Sequence, residues 1–378
     1  MSNTDCAHAI IDLDAIRANV ENLARCAGNA AVLAVVKADG YGHGAVESAR
    51  AARIGGAQWL GVVSIDEACE LRKAGDVGNI IAWRTSQFSD FRTAVAHDID
   101  VSAAAPAALE ALAAAAKETG KRARVHLALD SGLGREGAPL GEQWDVLLAT
   151  AAALPRDLVE VLGVWSHLAF ADNPHHPTID AQRDAFIAGV EQATSVGLNI
   201  QFRHLANSAA TLTRPDLHFD LVRPGLAIYG VSPLPPDAES TAAEYLRPAM
   251  TLKAPVIAVK ALPAGHGVGY THAYHTREDT TMAVLAAGYA EGIPRTAGNS
   301  APLTLNGARF CVAGRVSMDQ VSVDVGKHPV AVGDLATMFG PGADGEPTID
   351  EFAQACGTIS YEIMTRLGAR ATRVYVNQ

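Results

Sequence analysis

The chain has 378 residues, enough for two domains, and its 49% apolar and 19% charged residues exclude a disordered chain. Asp and Glu outnumber Lys and Arg by 41 to 30, a formal net charge of −11, so no basic field draws it to nucleic acid or an anionic membrane. The five cysteines (Cys6, Cys26, Cys69, Cys311, Cys356) form no C-x-x-C pair, which suits a reducing compartment and offers neither a disulfide framework nor a structural zinc site.

The first apolar run, 9–13, reads as a strand with no obvious neighbour, so residues 1–12 are expected to join a later β domain. Strand-like runs then recur at 32–36, 59–63, 80–83, 99–102, 125–129, 159–165, 200–205 and 219–222. Amphipathic stretches lie between most of them, at 45–54, 65–73, 106–118 and 179–196. Alternation of this kind means parallel strands joined by crossover helices. Eight strands fit a closed (β/α)8 barrel over 13–240 better than a doubly wound sheet. The alanine-rich 103–116, with Leu109 and Leu112, is a helix of strong formers. Three prolines in 231–237 mark a linker. Beyond it, short β-branched runs at 255–259, 281–286, 309–312, 320–325 and 374–376 predict an all-β domain over 241–378, a small barrel or sandwich.

The most informative segment is Ala34-Val35-Val36-Lys37-Ala38-Asp39-Gly40-Tyr41-Gly42-His43-Gly44. It places one lysine at the carboxyl end of a buried strand, before a glycine-rich turn. A partly desolvated lysine there tends toward the neutral amine that forms Schiff bases. The alternate glycines let backbone approach an anionic ligand. The same lysine could equally be a solvated strand end. Gly40-x-Gly42-x-x-Ala45 also fits a loose dinucleotide-binding template.

In a barrel of this type the active site lies at the carboxyl ends of the strands. The residues there are Lys37 and Tyr41, Asp130-Ser131-Gly132-Leu133-Gly134-Arg135, Ser166-His167, His204-Leu205-Ala206-Asn207-Ser208 and Arg223-Pro224-Gly225. Each alone reads as a cap, a turn residue or a core histidine. Their joint placement on one face is the stronger signal.

These blocks resemble bacterial alanine racemase. So do Gly269-Tyr270, Gly288-Tyr289-Ala290-Glu291-Gly292, Gly314-Arg315-Val316-Ser317-Met318-Asp319-Gln320 and Ser360-Tyr361-Glu362, in order and nearly end to end. The resemblance implies a fold-type III pyridoxal-phosphate isomerase: a (β/α)8 TIM-type barrel, a C-terminal all-β domain, and a head-to-tail homodimer with shared active sites. It would interconvert L- and D-alanine to supply D-alanine for peptidoglycan. By that similarity Lys37 holds the cofactor as a Schiff base. Tyr41, Ser208, Tyr361 and the backbone at Gly225 and Leu226 bind its phosphate, and Arg223 faces its pyridine nitrogen. Lys37 is one catalytic base and Tyr270 of the partner subunit the other. A free phenol is a poor base at neutral pH, so His167 and Arg223 are expected to assist it as a hydrogen-bonded relay. Arg135 and the Met318 amide would hold the substrate carboxylate. Tyr289, Asp172, His204, Arg295 and Arg315 resemble residues lining the family's access corridor.

One position departs. The family often has a carbamylated lysine in the strand before Arg135, where this chain has Ala128. A methyl group supplies no charge, so a small anion such as chloride, or an ordered water, is expected beside Arg135. His175-His176 and the pair His272 and His275 lack regularly spaced acidic or thiol ligands, so no metal is expected. No basic region and apolar core opens the sequence and no apolar run is long enough to span a membrane, so a cytoplasmic location is expected. The alternatives from the residues are a broad-specificity racemase or decarboxylase of the same fold, a non-catalytic pyridoxal-phosphate carrier, and an NAD-dependent dehydrogenase. The last lacks an acidic residue at the end of the next strand, in Val62-Val63-Ser64, although Asp66 and Glu67 follow closely.

Overall fold

The computed structural model describes residues 6–235 and 243–377. Pro236 and Asp237 of the linker, and residues 1–5 of the opening segment, lie outside the described residues. The described residues divide into two compact units, 16–40 with 45–235 and 243–246, and 6–15 with 41–44 and 247–377.

Strand β1 (His8–Asp12) leads directly into helix α1 (Leu13–Ala27). The first unit is then built from β2 (Ala31–Val35), β3 (Trp59–Val62), β4 (Asn79–Ala82), β5 (Asp100–Ala103), β6 (Ala123–Asp130), β7 (Val159–Trp165), β8 (Phe202–His204) and β9 (Leu221–Val222). All pair in parallel in the order β9-β2-β3-β4-β5-β6-β7-β8. The remaining seam is drawn together by Asp220 N–H to Arg203 C=O (3.1 Å) and Arg223 N–H to Ala206 C=O (2.9 Å). The strands read as near-continuous apolar runs because both faces are covered: β3 and β5 are buried at every position.

Trp59 on β3 meets Phe202 on β8 at 5.2 Å and His126 on β6 at 5.5 Å. These strands are not neighbours in the sheet, so the rings meet across the lumen, which is filled and not a pore. Gly61 on β3 makes room for this packing. A Cβ there would lie 2.2 Å from the Trp83 ring and 2.5 Å from Leu33.

Helix boundaries follow local chemistry. Ser64 caps α2 (Ile65–Lys73) in a capping box with Glu67. Pro106 opens α3 (Pro106–Thr119) and left-handed Gly120 closes it. Helix α3 buries Ala108, Leu109, Leu112, Ala115 and Ala116 on one face, so its alanines serve close packing as well as propensity. No helix among the described residues is long and apolar enough to cross a membrane.

The second unit is an eight-stranded sheet. Six strands close on themselves: β10 (Met250–Leu262), β11 (Thr280–Leu285), β12 (Pro302–Leu305), β13 (Ala308–Ala313), β14 (Val321–Gly326) and β15 (Leu335–Phe339). The 13-residue β10 closes the ring by pairing antiparallel with both β15 and β11, shifting register between Val256 and Ala258. On its other side β1 pairs antiparallel with β10 and parallel with the last strand, β16 (Thr372–Val376). The sequence reading passed over β12, β15 and two short helices, α4 (Ile349–Ala355) and α5 (Ser360–Thr365). For α4 a signal was present: Thr348 and Glu351 form a capping box.

Gly61→Ala should destabilise the protein by about 1–3 kcal/mol, the usual cost of overpacking a filled core. A lower urea midpoint with an unchanged slope checks this. An unchanged midpoint would mean that Trp83 moves aside freely.

Candidate active site

Lys37 stands one residue past β2, after Val36, and opens a turn of left-handed backbone through Ala38 (φ 53°), Asp39 (φ 54°), Gly40 (φ 60°) and Tyr41 (φ 50°). Only one of the four is glycine, and the other three each cost roughly 1–2 kcal/mol in this conformation. Three hydrogen bonds, one of them to a distant helix, hold it. Gly40 N–H donates to Val36 C=O at 2.9 Å, Asp39 Oδ1 accepts from Ala45 N–H at 3.0 Å, and Glu67 Oε1 accepts from Ala38 N–H at 2.8 Å. Burial lowers the Lys37 pKa, with Arg135 and Arg223 adding to the shift and Glu136 and Glu67 opposing it. The amine is thereby moved toward its nucleophilic form.

After β6, the Asp130 carboxylate accepts the Gly132 N–H (2.9 Å), Leu133 N–H (2.9 Å) and Gly134 N–H (3.0 Å), folding the loop that carries Arg135. Gly137 is required in this loop, with φ +104° and an added Cβ only 2.5 Å from the Asp130 nitrogen. Arg135 is exposed and pairs with Glu136 at 3.2 Å. The contact is made through Nη2 to Glu136 Oε1, so Glu136 is one partner of the guanidinium. Ala128 is buried in β6, in register with Trp165.

Arg223, just past β9, is buried. Its Nη1 donates to His204 C=O (2.5 Å) and its Nη2 to Ser166 C=O (2.7 Å) and Leu205 C=O (3.2 Å), which leaves Nε outside this set. The guanidinium lies 5.4 Å over the Trp165 ring, a cation–π contact. Burial lowers its pKa to about 9, so it stays cationic at neutral pH. Its Nη2 reaches His167 Nδ1 at 3.4 Å. A guanidinium can only donate, so Nδ1 is the acceptor and a neutral His167 carries its proton on Nε2. Burial, with Arg223, Arg135 and Lys37 close by, pushes the His167 pKa down to about 3.

Asn207 caps the helix Ser208–Thr213. The Ser208 hydroxyl accepts from Gly225 N–H (2.8 Å) and Ala227 N–H (3.3 Å) at the start of the 3-10 turn Leu226–Tyr229. Two short helices thus open beside one hydroxyl, an arrangement suited to an anion. The first unit therefore brings together Lys37, Arg135, His167, Ser208, Arg223, Gly225 and Leu226 at strand ends.

His204 departs from its expected place in a corridor. It is fully buried, with Nε2 2.9 Å from His126 Nδ1 and its ring stacked on Trp165. It therefore lines the barrel interior, and burial holds its pKa well below the usual imidazole range. Asp172 is exposed.

In the second unit, the Tyr41 and Tyr361 rings lie 6.0 Å apart, and burial raises the Tyr41 pKa. Gly42 (φ +79°) lies where a Cβ would be 2.2 Å from Met364 C=O. Tyr270 stands on a 3-10 turn strained at Thr271 and His272 and is 67% exposed. Tyr289, Arg295, Arg315 and Met318 are also exposed. Buried Glu291 ties the last group together. It accepts Gly288 N–H at 2.7 Å and pairs with Arg370 at 2.6 Å, while Arg370 also holds Asp319 at 2.8 Å. The sequence reading quoted Glu291 only within a motif and gave Glu136 and Arg370 no role. A lone surface-type charge carries no local signal of its partner.

The family model described as "Alanine racemase, N-terminal domain" matches residues 11–233, and "Alanine racemase, C-terminal domain" matches residues 249–375. The alanine racemase of Frankia casuarinae is 52% identical over 369 residues, 97% of this chain and 96% of that protein. That of Streptomyces coelicolor is 49% identical, covering 98% and 96%. The crystal structure of the alanine racemase from Streptomyces lavendulae matches with a TM-score of 0.95 at 48% identity, over 99% of this chain and 98% of that one. Both family domains match in order and the relatives are aligned over nearly their full length, so the chain belongs to the alanine racemase family.

Proposed function

We propose that this protein is a cytoplasmic, pyridoxal-phosphate-dependent racemase that interconverts L- and D-alanine. The observation that carries this reading is the pairing of a half-buried lysine at the end of β2 with a buried guanidinium whose Nη donors are turned inward onto carbonyls. The donor set fits the cofactor: an amine for its aldehyde, a cation for its ring nitrogen and two helix starts for its phosphate. Ser208, Gly225 and Leu226 would hold the phosphate, a role the family resemblance extends to Tyr41 and Tyr361.

When bound, pyridoxal phosphate supplies the electron sink that makes the substrate Cα–H acidic. Arg223, a guanidinium that can only donate, would face the ring nitrogen without giving up a proton to it. Inversion requires one proton removed from one face of Cα and one delivered to the other. Lys37 Nζ serves one face, and Tyr270 of the partner subunit the other. Neutral His167, its Nδ1 engaged by Arg223, presents an Nε2–H that can orient the phenol oxygen. Arg135 and the Met318 amide orient the substrate carboxylate. Tyr289, Asp172, Arg295 and Arg315 line the approach.

Lys37→Ala should lose the covalent cofactor linkage and at least ~10³-fold in kcat/KM, the scale of losing a base and nucleophile together. Visible absorbance and borohydride trapping check the linkage. A mutant that still forms a reducible linkage would assign the cofactor to another lysine.

Tyr270→Phe should also be nearly inactive. Mixed with Lys37→Ala under subunit exchange, it should regain activity, because the heterodimer has one intact site and one doubly damaged site. Demonstrated exchange without recovery would place both bases on one chain.

A further inference from the structure

We propose that Glu67 is a positioning residue for Lys37, its single carboxylate pinning the strained turn after the lysine to the capped start of α2. Oε1 accepts the Ala38 N–H at 2.8 Å, while Oε2 accepts the Val63 N–H at 2.7 Å and the Ser64 N–H at 3.3 Å. The same residue's own N–H donates to the Ser64 hydroxyl oxygen at 3.2 Å. Helix capping alone needs only the Ser64 contacts. The bond to Ala38 lies outside that motif and joins the ends of two adjacent barrel strands.

The need for it is local. Ala38 is the first left-handed residue after Lys37, and a side chain with four rotatable bonds is aimed by where its backbone points it. Asp39 and Gly40 have their own anchors, at Ala45 and Val36. Glu67 holds the residue next to the lysine, and it does so with a charged acceptor, which is stronger than a neutral one. Its charge also opposes the fall in the Lys37 pKa that burial causes.

The inference rests on the reading of Lys37 as the cofactor lysine, and the test separates the two. Full-length, cofactor-loaded Glu67→Ala, Glu67→Gln and Ser64→Ala are compared by amide hydrogen exchange over 37–41 and by kcat and KM for L-alanine. Glu67→Ala should exchange ~10-fold faster over 37–41 and lose ~10-fold in kcat, with KM within about twofold, the scale expected for one charged hydrogen bond. Glu67→Gln keeps one acceptor oxygen and should fall between it and the wild type. Ser64→Ala, which keeps the carboxylate, should loosen only the start of α2. Should Glu67→Ala not fold, a kcat loss in Glu67→Gln without one in Ser64→Ala supports the proposal. Equal kcat losses in Ser64→Ala and either Glu67 variant overturn it, as does faster exchange with kcat unchanged, or exchange and kcat both unchanged. Failure of the Lys37 reading would show separately, as retained covalent cofactor in Lys37→Ala.

Discussion

A buried guanidinium with main-chain carbonyls as its nearest partners organises the barrel mouth. Where parallel strands run out the ladder becomes incomplete, and carbonyl oxygens there can take further donors. Arg223 supplies them at the ends of β7 and β8, through Ser166, His204 and Leu205. In return the carbonyl dipoles offset much of the cost of removing a cation from water. The arrangement has two electrostatic consequences. Burial, reinforced by Arg223, keeps His167 neutral with a defined tautomer, and Arg223 adds a lesser push to the burial and the Arg135 charge that lower the Lys37 pKa.

The lysine turn shows the complementary constraint. Three left-handed non-glycine residues persist only where surrounding contacts over-determine them. Here those contacts come from side chains far apart in sequence, Glu67 on α2 and Asp39 within the turn. The opposite strategy appears in the Arg135 loop. There Asp130 collects three consecutive N–H groups into one carboxylate, and the loop needs little beyond its own residues.

The second unit builds its presentation of Tyr289 and Met318 on a charge network instead. Tyr289 N–H donates to Ser317 C=O at 3.0 Å and Ala290 N–H to Met318 C=O at 2.9 Å, so the two loops form a backbone clamp. Buried Glu291, paired with half-exposed Arg370, closes it. Removing one partner of such a pair leaves a buried charge, which is why the network resists piecemeal change.

The sequence by itself determined the eight parallel strands, because barrel strands buried on both faces leave apolar runs that need no context to read. It also placed Lys37, Arg135, His167, Ser208 and Arg223 at strand ends, since the (β/α) pattern dictates which end carries chemistry. Local codes with fixed spacing, such as Ser64 with Glu67 or Thr348 with Glu351, lay in the same register, although both went unread. Only the tertiary structure decided the rest. The pairing of β1 with β10 and β16, the carboxylate of Glu136 on Arg135, and the reach of Glu67 to Ala38 all depend on where folded chain returns in space. His204 is the clearest instance: a histidine at a strand end can point to either face. The decision that it fills the barrel beside His126 belongs to the packing of the lumen, which no single segment encodes.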